Sequence, residues 1–395
     1  MKFTSRIAVA ALFAFAALGL SGCGSPGGGS AHQPPKVASL TSLGKSEGKV
    51  NLIVWAGYAE DGSDDKTVDW VHPFERKTGC QVNAKVADTS DAMVQLMRTG
   101  QYDGVSASGD ATLRLVYGGD VAPVNTDLVP NYKTIAPFLK KRPWNSVDGT
   151  MYGIPHGWGA NVLMWNKSVV KQAPTSWGAV FDKSGPYAGK VTAYDSPIYI
   201  ADAALYLSKT NPSLGIKDPY SLTEKQLDAA VGLLKHQNAN VGEYWSAYTA
   251  EVDSFEKGKS VIGTSWQVIA NLINADKKVA VGTTVPREGA TGWSDTWMVS
   301  AKAKHPNCMY QWMNWIASPK ANAEVAEWFG EAPAQTLACR ETSDKSFCDT
   351  FHATDAAYAS KIHYWTTPQK QCVDGSGNNC TAYAEWVSKW QRMKG

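Results

Sequence analysis

Charge imbalance is nearly absent from this 395-residue chain: 38 Lys and Arg stand against 36 Asp and Glu, a formal net charge of +2. The basic residues are spread singly, without a long run, which argues against a nucleic-acid partner. Long apolar stretches are also scarce. Ile7–Leu20 (IAVAALFAFAALGL) is too short for a comfortable membrane span, and no later stretch is long enough to cross a bilayer. CxxC spacing, which would point to zinc, does not occur. HExxH is not present, and no GxSxG follows an expected strand as a nucleophile elbow requires, Gly44–Gly48 (GKSEG) lying ahead of the first one. Gly44-Lys45-Ser46 and Gly258-Lys259-Ser260 imitate the end of a phosphate loop, but Ser39 and Asp253 occupy the positions where its first glycine must stand. The 7 histidines are scattered. These absences predict a protein that is not an enzyme and carries no cofactor or metal.

What is present begins at the N-terminus. Lys2 and Arg6 precede the apolar run, and Leu20-Ser21-Gly22-Cys23 closes it in the manner of a bacterial lipobox. Gly24–Ser30 (GSPGGGS) has the composition of a flexible tether. The expectation is a signal peptide over 1–22, lipidation at Cys23 and a tether running to residue 48. The protein would then sit in a bacterial cell envelope, lipid-anchored on the outer face of the cytoplasmic membrane. Beyond Cys23 there are six cysteines: Cys80, Cys308, Cys339, Cys348, Cys372 and Cys380. An even number in an oxidising compartment reads as disulfides, with several connectivities open. The close pairs Cys339/Cys348 and Cys372/Cys380 could each clip a loop, leaving Cys80 for Cys308.

Strand-like and helix-like segments alternate through the remainder, implying an α/β protein with mainly parallel sheets. Strands are expected at Val50–Trp55, Gln81–Val86, Tyr102–Ser106, Gly159–Asn166, Lys190–Ala193, Val261–Ser265, Val279–Thr283 and Thr296–Ser300. Helices are expected at Thr223–Lys235, from Pro306 to Pro319, at Lys320–Phe329 and at Thr381–Met393. Tryptophan is unusually frequent, with 16 residues. Trp312, Trp315, Trp328, Trp386 and Trp390 fall at helical spacing and read as packing. Trp55, Trp158, Trp266 and Trp293 instead stand at strand ends or beside glycine, which suits a ligand-facing wall. Such a wall either stacks on sugar rings or holds an amine by cation–π attraction. Asp295, two residues after Trp293, tilts the choice towards a cation.

Phe74-Glu75-Arg76-Lys77-Thr78-Gly79-Cys80-Gln81-Val82 resembles the F-x-x-x-T-G-x-x-V signature of ABC-importer extracellular solute-binding proteins. Gln101-Tyr102-Asp103-Gly104-Val105 is similar to their YD strand. Tyr152–Gly159 (YGIPHGWG) resembles the crossover of the spermidine/putrescine-binding branch. Thr175-Ser176-Trp177, Gly292-Trp293-Ser294-Asp295, and Trp55 with Tyr58 are similar to the same branch. The resemblance implies a two-lobed periplasmic-binding-protein fold (type II), each lobe a mainly parallel sheet flanked by helices, with hinge crossings near Pro155–Gly159 and Trp293–Trp297. Lobe one would be 49–157 plus 294–338, and lobe two 158–293 plus 339–395.

The resemblance further implies a monomeric receptor that captures a small cationic amine and delivers it to an ABC permease. Trp55, Tyr58, Trp158, Trp266 and Trp293 would form an aromatic box, and Asp295 would bind an amine. Two further acids of the branch fall on Ser196 and Tyr199, with Asp195 one place earlier. Asp110 offers an acid after the YD strand, and Glu331 stands where the branch usually has an aromatic. Two other readings compete: a receptor for a neutral oligosaccharide, and a secreted hydrolase using Asp110 and Asp195. An adhesion lipoprotein without a small ligand is a third.

Overall fold

The computed structural model describes residues 33–182 and 187–395. The expected signal peptide, Cys23 and the Gly24–Ser30 tether lie outside the described residues. From Pro34 to Gly395 the chain is one compact unit. Among the described residues no helix is long and apolar enough to cross a membrane.

The main sheet is organised around two long strands, Ile154–Asn166 and Ala290–Ser300. Their central parts pair antiparallel, Trp293 opposite Gly159 and Asp295 opposite Gly157. Almost every residue in both is buried, as expected of strands covered on both faces. On one side Ala290–Ser300 pairs with Gly104–Ala107, which continues through Lys49–Val54 to Gln81–Val86, these last pairings being parallel. On the other side Ile154–Asn166 pairs with Ile262–Trp266, which continues in parallel through Val191–Tyr194 to Val241–Trp245. Ala290–Ser300 thus lies antiparallel beside one parallel group and Ile154–Asn166 antiparallel beside the other, and this crossing pair joins the two lobes. A third connection runs beside them. Ile362–Tyr364 pairs with Ala290–Gly292, and Thr367 then bonds to the carbonyls of Gly109 and Asp110.

Local chemistry explains where the flanking helices begin and end. Thr223 and Gln226 close a capping box on Glu224–Asn238. Pro306 and Pro319 open Pro306–Ile316 and Pro319–Phe329, where a missing N–H costs nothing. Gly330, at φ 80°, stops the second of these and turns the chain back towards the crossing strands. The C-terminal helix Tyr383–Lys394 packs on Glu224–Asn238.

Three disulfides join Cys80 to Cys308, Cys339 to Cys348 and Cys372 to Cys380, the pairing that loop length favours. The tether is shorter than its expected end at residue 48. Glu47 accepts hydrogen bonds from the backbone N–H groups of Asn307 and Cys308 at 2.9 Å, and Asn125 Nδ2 donates to the Leu40 carbonyl. A carboxylate on the first turn of Pro306–Ile316 is favoured by the helix dipole, so this segment is docked onto the body.

Candidate functional site

The parallel strands deliver their last residues to one region, as open α/β sheets commonly do. Trp55 follows Lys49–Val54, Ser108 follows Gly104–Ala107, and Tyr194, Trp245 and Trp266 end the three strands of the other lobe. The crossing strand adds Trp293 and Asp295 on one face, since residues two apart point the same way. Glu331 enters from the turn after Gly330, and Gly157 leaves the room it needs. A Cβ at position 157 would stand 2.0 Å from the Glu331 carboxyl carbon. Likewise, a Cβ at Gly159 would meet the Trp293 ring at 2.8 Å.

The acids converge on one phenol. Tyr58 Oη lies 2.8 Å from Asp295 Oδ2 and 2.8 Å from Glu331 Oε2. The Ser108 hydroxyl donates to Asp295 Oδ1. Tyr58, Asp295 and Glu331 are 0 %, 2 % and 1 % exposed, so the charged forms are poorly solvated. Burial pushes Asp295 up to about 7, against the hydrogen bonds from Ser108 and Tyr58 that pull it down. Burial, with Asp295 nearby, holds Glu331 well above the usual carboxylate range. His156 Nε2 is 3.5 Å from Glu331 Oε1, but burial lowers its pKa to about 3 and the ring is neutral. Glu331 Oε1 is buried without a hydrogen-bond partner.

A path of rings leads away from this cluster. Tyr58 meets Phe329 edge-on at 4.6 Å, Phe329 meets Trp293 at 5.9 Å, and Trp293 meets Trp266 at 6.3 Å. Trp266 contacts Trp245 and Tyr194, and Tyr194 stacks on Trp365 with 12° between the planes. Trp266 is oriented from behind. Its Nε1 donates to Asn161 Oδ1, Asn161 Nδ2 donates to Thr291 Oγ1, and Thr291 Oγ1 donates to Asp202 Oδ1. Asp110 lies in the first turn of Gly109–Tyr117, takes a hydrogen bond from Ser90, and is raised by burial to about 6. It is close enough to Asp295 to raise that group further.

The chain matches the family described as bacterial extracellular solute-binding protein over residues 69–345. It belongs to that family. The spermidine/putrescine-binding periplasmic protein of Escherichia coli is 24% identical over 306 residues, covering 74% of this chain and 84% of that one. The fold is shared with the spermidine/putrescine transporter substrate-binding protein PotD of Streptococcus pneumoniae, at TM-score 0.66 and 17% identity over 88% of this chain and 99% of that one. It is shared too with the A. tumefaciens protein MotA, solved in complex with glucopine, at TM-score 0.68 and 16% identity over 88% and 99%.

Not every expected residue of this solute-binding protein reaches the cluster. Tyr58, Trp266, Trp293, Asp295 and Glu331 are joined by the contacts just described, and Trp55 stands at the end of its strand with its N–H on the Ser106 hydroxyl. Trp158 does not. It pairs with Ser294, one residue out of phase with Trp293 and Asp295, so it projects from the opposite face, packing edge-on against Phe138 and Tyr364. Tyr199 is core: its hydroxyl accepts from Gln237 Nε2 at 2.9 Å, and its ring packs on Phe181 and Trp390. Asp195 is occupied by an ion pair, 2.6 Å from Lys394 Nζ. Ser196 precedes the short turn Pro197–Tyr199, and its N–H donates to the Tyr194 carbonyl.

Sequence reasoning missed His156, Tyr194, Trp245, Phe329 and Trp365. For Tyr194 and Trp245, position at the end of a predictable strand was the available signal. Trp365 carried none, because its strand is three residues long.

Proposed function

We propose that this protein is the receptor of an ABC importer and captures a small cationic amine, a polyamine such as putrescine or spermidine, between its lobes. One observation carries the reading. Two buried carboxyl groups, Asp295 and Glu331, converge on Tyr58, and Glu331 Oε1 has no donor. Among the described residues, neither acid is paired with Lys or Arg. Buried carboxylates ordinarily have a cation or a set of donors. An ammonium group supplies both, and the adjoining rings offer cation–π faces and apolar contact for a methylene chain. Asp110, near enough to act on both Asp295 and Tyr194, is a second acid for a second amine. The named relatives that bind spermidine and putrescine support the same ligand class.

We assign lobe one to residues 49–157 and 294–338 and lobe two to 158–293 and the tail. Residues 339–353 go with lobe one, because Phe347 and Cys348 pack on Ala326. Closure of the lobes around the ligand would present both to the permease. Lipidation at Cys23 would hold the receptor at the membrane, where it acts as a monomer without catalysis.

A thermal-shift screen of the mature protein against putrescine, spermidine, other amines, amino acids and sugars tests this reading. A ligand at 100 times its dissociation constant adds about 2.7 kcal/mol of stability. A shift with amines is expected, and loss of that shift in Asp295→Asn. Shifts with sugars alone, unaffected by Asp295→Asn, would overturn the amine and favour a neutral ligand stacked on the tryptophans.

A further inference from the structure

We propose that Asp295 and Glu331 hold one proton between them in the free receptor and that an incoming ammonium group displaces it, making Glu331 the residue that couples capture to proton release. The proposal rests on the amine reading above. The geometry is a matter of counting protons. Tyr58 carries one phenolic proton and can donate it to one carboxylate, yet its oxygen stands 2.8 Å from an oxygen of each acid. The second short contact is a hydrogen bond only if the other acid supplies the proton.

Ser108 identifies which acid that is. Its hydroxyl donates to Asp295 Oδ1, so Asp295 collects two donors, from Ser108 and Tyr58, and is the better anion. Glu331 has no such support, and its Oε1 lacks a partner altogether. Glu331 is therefore the acid that is protonated, its Oε2–H donating to Tyr58 Oη.

The surroundings do not relieve the pair. Asn322 Oδ1 accepts from the Gln335 N–H, which turns its Nδ2 towards His156 Nδ1 at 3.4 Å. The proton of the neutral His156 ring therefore belongs on Nε2, which stands 3.5 Å from Glu331 Oε1 without forming a hydrogen bond and contributes no charge. Asp110, from Gly109–Tyr117, and Tyr194, from the second lobe, are the other titratable groups that act on Asp295, and neither is cationic. Phe329 and Trp293 close the remaining side with apolar ring edges.

On capture, the Glu331 O–H bond breaks and the proton leaves for solvent. The ammonium N–H groups then donate to the freed carboxylate and its neighbour. Two carboxylates face one cation in the complex, where two acids shared one proton before. A neutral solute cannot drive this exchange, so the pair also selects for charge.

Calorimetric titration of the full mature protein with putrescine in buffers of differing ionisation enthalpy measures the protons released. We expect proton release wherever the free pair still holds its proton, falling away as the pH rises until the pair is ionised, with affinity rising over the same range while the amine stays protonated. Glu331→Gln should still bind through Asp295, more weakly, and release about one proton fewer per amine bound than the wild type, with a shallower pH dependence, since a side-chain amide can donate to Tyr58 without an extra proton. Wild-type binding without proton release at every pH, or an unchanged release in Glu331→Gln, would overturn the exchange while leaving the amine reading intact. Failure of putrescine, spermidine and other amines to bind in any buffer would overturn both.

Discussion

Gly157 lies directly beneath the carboxyl group of Glu331, so close that a Cβ there would stand 2.0–2.2 Å from its carbon and both oxygens. The glycine is not needed for backbone conformation, because it sits within an ordinary strand. It is needed for space. Gly157→Ala should therefore push Glu331 off Tyr58 and lower amine affinity at least tenfold in calorimetry, with the fold retained by circular dichroism. Unchanged affinity would show that the position of Glu331 is immaterial to binding.

Trp158 and Trp293 stand on opposite faces of the crossing pair, which separates packing from recognition. Trp158→Ala should cost about 3–5 kcal/mol of stability, as expected for removing a large buried ring, with the smaller effect on affinity at a temperature where the protein stays folded. Trp293→Ala should show the reverse emphasis, losing amine affinity strongly. Parallel denaturation and binding measurements on the two variants decide the matter. Equal losses of affinity would place both rings against the ligand.

Asp195 and Asp295 should separate in the same way. Asp295→Asn removes a buried carboxylate and should weaken amine binding by about 2–5 kcal/mol. Asp195→Asn removes a partly exposed partner of Lys394, an interaction worth about 1 kcal/mol or less. Its affinity for putrescine should stay within about threefold of wild type. A large loss in Asp195→Asn would return that residue to the ligand set and displace Lys394.

Asp202 provides a test by pH. Its Oδ1 accepts from Thr291, its Oδ2 has no partner, and burial raises its pKa to about 8. In the unfolded chain an aspartate titrates at about 3.9, so the folded state binds the extra proton between these values. The stability it contributes is complete below about pH 4 and is lost as pH rises through about 8. Asp202→Asn should accordingly flatten the fall of melting temperature across that range and be the more stable protein at pH 9. An unaltered pH profile would mean that Asp202 is not the protonated buried acid.

The elements were legible where local chemistry is strong. The Val50–Val54 run, a cap at Ser221 or Thr223, the helix-opening Pro306 and the Gly330 stop all carry their structure within a few neighbouring residues, whereas Pro319, read as the end of one helix, opens the next. The crossing strands were read short, as Gly159–Asn166 and Thr296–Ser300, whereas they run from Ile154 and Ala290. Pro155, Gly157, Gly159 and Gly292 suppress a local strand reading, yet here those small residues admit Glu331, Trp293 and the close approach of the paired backbones. Tertiary packing outweighed propensity. Spacing suggested the three disulfides without settling them, because two pairs lie within ten residues of each other while several other connectivities stayed open.

By itself, the sequence determined the α/β class, the positions of several strands and four helices, six cysteines suited to disulfides, and a set of strand-end tryptophans with an acid beside them. These are properties of short windows and of counts. Only the tertiary structure decided which side chains meet. Register places Trp158 one residue out of phase with Trp293, so it leaves the wall. The end of the C-terminal helix brings Lys394 to Asp195, and Gln237 takes the hydroxyl of Tyr199. The convergence of Tyr58, Asp295 and Glu331 joins positions 237 and 273 residues apart, a proximity that no local pattern encodes. Side-chain direction and long-range pairing depend on how whole elements are stacked, and that is why the site emerged only from the fold.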